Sequence, residues 1–167
     1  MDITTFPIYY QAYIKKVLQG DPLALLDLGV KETIKTLVMV TEEKANWAYA
    51  EGKWSIKDIV QHLIDTERIM SYRALSFARG EANKIPGYDH DAYVTAAAAN
   101  GRTLKELLEE LKRLRVSTID LFKSFTPEML ERKGNANGVD FTAGKFMYIL
   151  IGHEIHHMQV VQERYLN

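Results

Sequence analysis

Ser55 to Arg79 reads SIKDIVQHLIDTERIMSYRALSFAR, and this stretch decides the fold. Ser55 followed three residues later by Asp58 resembles a capping box, which satisfies the free N–H groups at a helix start. Beyond it, Ile59, Leu63, Met70 and Phe77 recur at helical spacing and form a broad apolar face. Beside that face runs a mostly polar stripe of Asp58, His62, Asp65, Ile69 and Arg73. An amphipathic helix of this kind buries its apolar face against neighbouring elements.

Working outward, the same punctuation recurs. Asp21-Pro22 supplies an N-cap with proline at the first helical position, opening a segment of about 20 residues around LALLDLGVKETIKTLVMV. Thr103 with Glu106 repeats the capping box ahead of TLKELLEELKRLRVSTIDLFKSF. Thr126-Pro127 starts a short helical turn, GNANG at 134–138 reads as a loop, and Thr142 is placed to cap a last helix reaching nearly to Tyr165. A short helix near Ile8–Leu18 precedes them. Strand signals are almost absent: only VDF from Val139 alternates, too briefly to matter. Four long amphipathic helices predict an all-α four-helix bundle forming one domain over residues 1–167. The link from about Gly80 to Arg102 is long enough to cross the bundle.

Composition narrows the function classes. A chain of 167 residues can bury roughly 70% of its unfolded surface, so it needs no disulfide or metal merely to fold. It has no cysteine, which excludes disulfides, thiolate zinc sites, iron–sulfur clusters and a protein thiol nucleophile. Lys and Arg number 21 against 22 Asp and Glu, a balance that supports neither sequence-blind nucleic-acid binding nor an anionic-membrane surface helix. No apolar run is long enough for a transmembrane span. The opening MDITTFPIYYQAYIKK has an acid at position 2 and no apolar core before a cleavage site, so a cytoplasmic protein is expected.

Three of the five histidines fall within GHEIHHMQVV at 152–161. At about 100° per residue, His153 and His157 lie on the midline of the apolar face formed by Phe146, Ile149, Leu150 and Val160. His156 falls at its edge. A lone histidine on such a face reads as a hydrogen-bonded core residue. Two neutral imidazoles among hydrocarbon each need partners, and a shared metal supplies both. If the helix carrying His62 is a neighbour, three imidazoles meet and leave open coordination positions, the catalytic pattern. Nitrogen-rich, sulfur-free ligation suits zinc, nickel or iron(II).

Two rival motifs use the same letters. His153-Glu154-Ile155-His156-His157 contains HExxH, the helix of zinc peptidases with Glu154 as general base. Only ten residues follow His157 and Glu163 is the sole acid among them, so the usual downstream third ligand is missing. Glu154-x-x-His157 matches half of a di-iron bundle site, but a second Glu-x-x-His is absent. Tyr88-Asp89-His90-Asp91 reads as turn and cap residues, or as the roof of a cleft. Trp47 and Trp54 read as packing anchors.

GKWSIKDIVQHLIDTERIMSYR at 52–73, with GHEIHHMQVVQERYL at 152–166, resembles the DinB-like (YfiT-like) superfamily. The resemblance implies an up-down-down-up bundle with a long crossover between the second and third long helices. It also implies a divalent metal held by His62, His153 and His157, and frequent homodimers. Members with an assigned activity are transferases or isomerases using low-molecular-weight thiols such as bacillithiol or mycothiol; others are described as metal-dependent hydrolases.

Three functions follow as expectations. The first is thiol transfer to a small electrophile, with Asp65 orienting His62 or taking the thiol proton and Arg73 holding a carboxylate. The second is metal-assisted hydrolysis with Glu154 or Asp65 as base. The third is a non-catalytic metal- or ligand-binding protein.

Overall fold

The computed structural model describes residues 2–167. A short helix α1 (Ile8–Ile14) precedes α2 (Pro22–Leu37), α3 (Glu42–Asn46), α4 (Ile56–Ala78), α5 (His90–Ala97), α6 (Leu104–Lys123) and α7 (Pro127–Glu131). A hairpin of β1 (Lys133–Ala136) and β2 (Val139–Thr142) then leads into α8 (Lys145–Val161), which continues as a wider turn over Gln162–Leu166. No helix among the described residues is long and apolar enough to cross a membrane.

The caps act as the residue types predict. Asp21 accepts from the backbone N–H groups of Leu23 and Ala24 with Pro22 at the first position. Ser55–Asp58 and Thr103–Glu106 both close as reciprocal capping boxes. Thr142 does not cap α8: it ends β2, and Gly144 stands at the cap position with no side-chain bond.

The bundle is built from α2, α4, α6 and α8, with α2 and α4 each packing against α6 and α8. Its core splits into two apolar clusters. One gathers Leu26, Phe77, Phe122 and Phe146; the other gathers Val30, Val60, Leu107 and Val161. Reading each helix from its start gives the topology. Helices α2 and α8 run from the first cluster to the second, whereas α4 and α6 run from the second to the first. The order is therefore up-down-down-up. Two consecutive helices that point the same way require a connection as long as the bundle, which residues 79–103 provide. They run back along α4: the Pro86 carbonyl accepts from Arg73 at 3.0 Å, the Tyr88 hydroxyl pairs with Thr66 at 2.9 Å, and Ser55 donates to Asn100 at 2.9 Å.

GNANG is a hairpin turn and not a free loop. Asn137 and Gly138 both have positive φ, 54° and 76°, the combination a tight two-residue hairpin turn requires. Ile85 of the crossover exchanges backbone bonds with Asn135 and Asn137, each at 2.9 Å. Four-residue strands are too short to show a convincing alternation, so their pairing became evident only in three dimensions.

Candidate metal centre

Between the two apolar clusters lies a belt of polar side chains, and the histidines sit in it. His62 comes from the second turn of α4; His153 and His157 are one turn apart on α8. The Nε2 atom of His153 lies 3.0 Å from Nε2 of His62 and 3.1 Å from Nε2 of His157. All three offer a nitrogen within 4.8 Å of the others, and the group fits a metal ion. His62 and His153 are buried and His157 is half-buried.

Burial keeps these rings neutral. It pushes His62 down to about 4, with His90 adding to the effect, and His157 down to about 3, reinforced by His62. His153 is lowered well below the ordinary range, first by burial and then by His157 and His62. Neutral imidazole is the ligating form. The contacts at His153 also test the metal reading directly. One Nε2 carries a single in-plane orbital, either an N–H or a lone pair, and serves one hydrogen-bond partner well. Two imidazole nitrogens press on it here. A cation shared by three lone pairs satisfies all of them, and one hydrogen bond cannot.

The depressed values carry a stability consequence. Between the unfolded value near 6.5 and the folded value of about 4, the unfolded chain holds more protons at His62 than the folded chain does. Stability of the metal-free protein is therefore complete above about pH 6.5 and falls as the pH drops through this window. Urea unfolding of chelator-treated protein should show a lower midpoint at pH 5 than at pH 7.5. Equal midpoints would mean that the imidazoles protonate freely in the fold.

A cavity of about 370 Å³ opens beside the three rings. Trp54 stacks on His157 with planes 17° apart and packs on His62 at 4.8 Å between ring centres. It is thus a wall of the site, a role its position before α4 did not reveal. Tyr13 of α1 meets His153 edge-on at 5.6 Å. That approach depends on Gly152, where a Cβ would stand 2.4 Å from the Tyr13 carbonyl oxygen. The hairpin lines the opposite side through Ala136, Asn137 and Phe141, and Tyr88 and His90 of the crossover line it as well. Asp89 meanwhile caps α5, so YDH at 88–90 is both cap and roof.

The carboxylates expected to assist, Asp65 as orienter of His62 or as base and Glu154 as base, do not line the cavity. Asp65 accepts from Gln61 at 2.9 Å and lies 3.7 Å from Arg68, which itself binds Glu110 of α6. Glu154 follows His153 by one residue, about 100° around the helix, and points to the other side of α8. There it accepts from Thr33 at 2.8 Å and from Arg115 at 2.9 Å. No Asp or Glu is among the residues lining the cavity. Arg73 does line it. His156 lies outside it, its ring centre 5.1 Å from that of Tyr13, and Trp47 is 45% exposed away from the site.

The sequence reading missed Arg115 and Glu67. Arg115 forms a two-pronged bond to Glu67, with both N–O distances 2.9 Å, and both residues are buried. A signal existed: Arg115 falls four residues after Leu111 and four before Ile119, on the apolar face of its helix.

Residues 25–161 match the DinB superfamily. The chain belongs to that superfamily. Over 129 residues it is 25% identical to a protein of Oceanobacillus iheyensis named "Putative metal-dependent hydrolase", spanning 76% of this chain and 72% of that one. The fold is similar to that of YfiT from Bacillus subtilis, with a TM-score of 0.76 at 16% identity, covering 89% of this chain and 88% of the other. YfiT is described as "a probable metal-dependent hydrolase with an unusual four-helix bundle topology". In this DinB-superfamily chain α4 and α6 run parallel, and the crossover between them lines the cavity beside the histidines through Tyr88 and His90.

Proposed function

We propose that this protein is a metal-dependent enzyme that joins a low-molecular-weight thiol to a small electrophile in the cavity beside His62, His153 and His157. The observation that carries the reading is three neutral imidazole nitrogens converging at the wall of a cavity that no carboxylate lines. Zinc or nickel suits such a donor set, and iron(II) fits it as well. A divalent ion held there acidifies a coordinated thiol or water by its own charge.

The chain's own residues do the rest. With no cysteine, the sulfur nucleophile has to be brought in as a small molecule. Trp54, Tyr13 and Phe141 give the cavity apolar walls that take up a small organic group and exclude water from it. Tyr10 and Tyr88 keep their phenolic protons, because burial raises both above the ordinary range, so each offers a hydrogen-bond donor. A thiolate needs no general base once formed, which agrees with the missing carboxylate. Hydrolysis is the second reading, favoured by the name of the Oceanobacillus relative.

The two separate in one assay. Metal-loaded protein is mixed with a cytosolic thiol and a generic electrophile, and in parallel with an ester panel lacking thiol. Conjugation that requires metal and disappears in His153→Ala is the expected result. Ester hydrolysis with no thiol requirement would transfer the assignment to a hydrolase. Neither activity, in protein of confirmed metal content, would overturn the enzyme reading and leave a binding protein.

A further inference from the structure

Arg73 is a cation in the wrong place for a structural residue. It is 3% exposed, on the third turn of α4 beyond His62, and among the described residues no carboxylate lies within salt-bridge reach of it. Its Nη2 donates to the Pro86 carbonyl at 3.0 Å and its Nη1 lies 3.8 Å from the Met70 sulfur; the Tyr10 hydroxyl beside it is a neutral partner. Nε is buried and has no partner. Buried guanidinium groups are ordinarily paired, because an uncompensated charge inside a protein is strongly destabilising. The other buried arginine in this bundle, Arg115, has two carboxylates. The contrast between two arginines at similar depth marks Arg73 as a group whose counter-charge is not part of the chain.

We propose that Arg73 anchors a carboxylate of the substrate, so that the enzyme selects small organic acids whose other end reaches the three-histidine centre. Arg73 lines the same cavity as His62, His153 and His157. It is the only lysine or arginine in that lining, and the walls around it are mainly aromatic and aliphatic. One guanidinium among apolar walls matches a monoanion and not a phosphate dianion, which draws several cationic or backbone donors. The Tyr88 ring lies 5.9 Å from the guanidinium carbon and holds it from one side. Arg73 and His62 are eleven residues apart on α4, close to three full turns, so both stand on one face of that helix and open into the same cavity.

This inference rests on the proposed site for the position of the ligand's far end, but not for the anchor itself, and the test keeps them apart. Benzoate, benzamide and inorganic phosphate are titrated by calorimetry into the wild-type chain, Arg73→Met and Arg73→Lys, each metal-loaded and metal-stripped, with metal content measured on every sample. Benzoate should bind the wild type with or without metal, at least about tenfold tighter than Arg73→Met, with Arg73→Lys between them. Benzamide should not distinguish the variants. The melting temperature of Arg73→Met should rise, since the substitution removes an unpaired buried charge.

Benzoate binding that vanishes with the metal and ignores Arg73→Met would overturn the proposal, because the ion would then be the anchor. Absence of benzoate binding would overturn it too, while the metal content reports separately on the histidine site. Phosphate binding more tightly than benzoate through Arg73 would overturn the carboxylate assignment. A lowered melting temperature with unchanged benzoate affinity would make Arg73 a strut for the crossover.

Discussion

His153→Ala is expected to strip the protein of nearly all its bound divalent metal, from close to one ion per chain to a small residue. Both of the short nitrogen–nitrogen distances run to His153 Nε2, 3.0 Å from His62 and 3.1 Å from His157, so its loss removes the shared vertex of the cluster. Losing even an outer hydrogen-bond partner of a ligand typically costs about 10–100-fold in metal affinity, and losing a ligand costs more. His62→Ala and His157→Ala should behave similarly. His156→Ala is the control, since its ring packs on Tyr13 outside the cavity and its variant should keep the metal. Elemental analysis of protein purified without an affinity tag, with circular dichroism to confirm the helices, makes the comparison. Depletion in His156→Ala with retention in His153→Ala would reverse the assignment of the helix face.

The second large effect is expected at Arg115→Met, on stability and not on chemistry. Arg115 binds Glu67 through two N–H groups, Glu154 at 2.9 Å and the Leu26 carbonyl at 2.6 Å, with all three charged side chains buried. Its removal leaves two carboxylates inside the bundle with the Thr33 hydroxyl as the remaining donor to Glu154. Breaking a buried ion pair from one side costs about 3–5 kcal/mol. For a chain of this size each kcal/mol moves the melting temperature by roughly 2–4 °C, so the loss should be on the order of 10 °C. Arg115→Met combined with Glu67→Gln and Glu154→Gln should recover much of it, because neutral amides need no counter-charge. If the triple variant is no more stable than the single one, the shape of the network matters more than its charge. The same network holds the far side of α8. By fixing Glu154 against Arg115 it sets the rotation that turns His153 toward His62.

These two sites show how unevenly function can be read from a linear chain. Helix positions were accessible because capping and amphipathic spacing are local: Asp21-Pro22, Ser55–Asp58 and Thr103–Glu106 each make their bonds within one turn. His153 and His157 could be placed on one buried face for the same reason. Asp65 and Glu154 do not line the cavity, because proximity along a helix is not proximity in space. A residue one step from a ligand points about 100° away, and Glu154 is held there by Thr33 and Arg115 from two other helices. Trp54, in the extended segment before α4, had no periodicity to place it, and the stacking on His157 spans 103 residues.

By itself the sequence determined a helical bundle, its principal caps, the inward direction of two histidines and the absence of any protein thiol. Only the tertiary structure decided that His62 meets those histidines, that Arg73 faces the cavity while Asp65 and Glu154 do not, and that the hairpin and crossover wall the site. The physical reason is range. Capping and periodicity act over three or four residues, whereas these outcomes depend on which faces pack together once the chain has crossed the bundle.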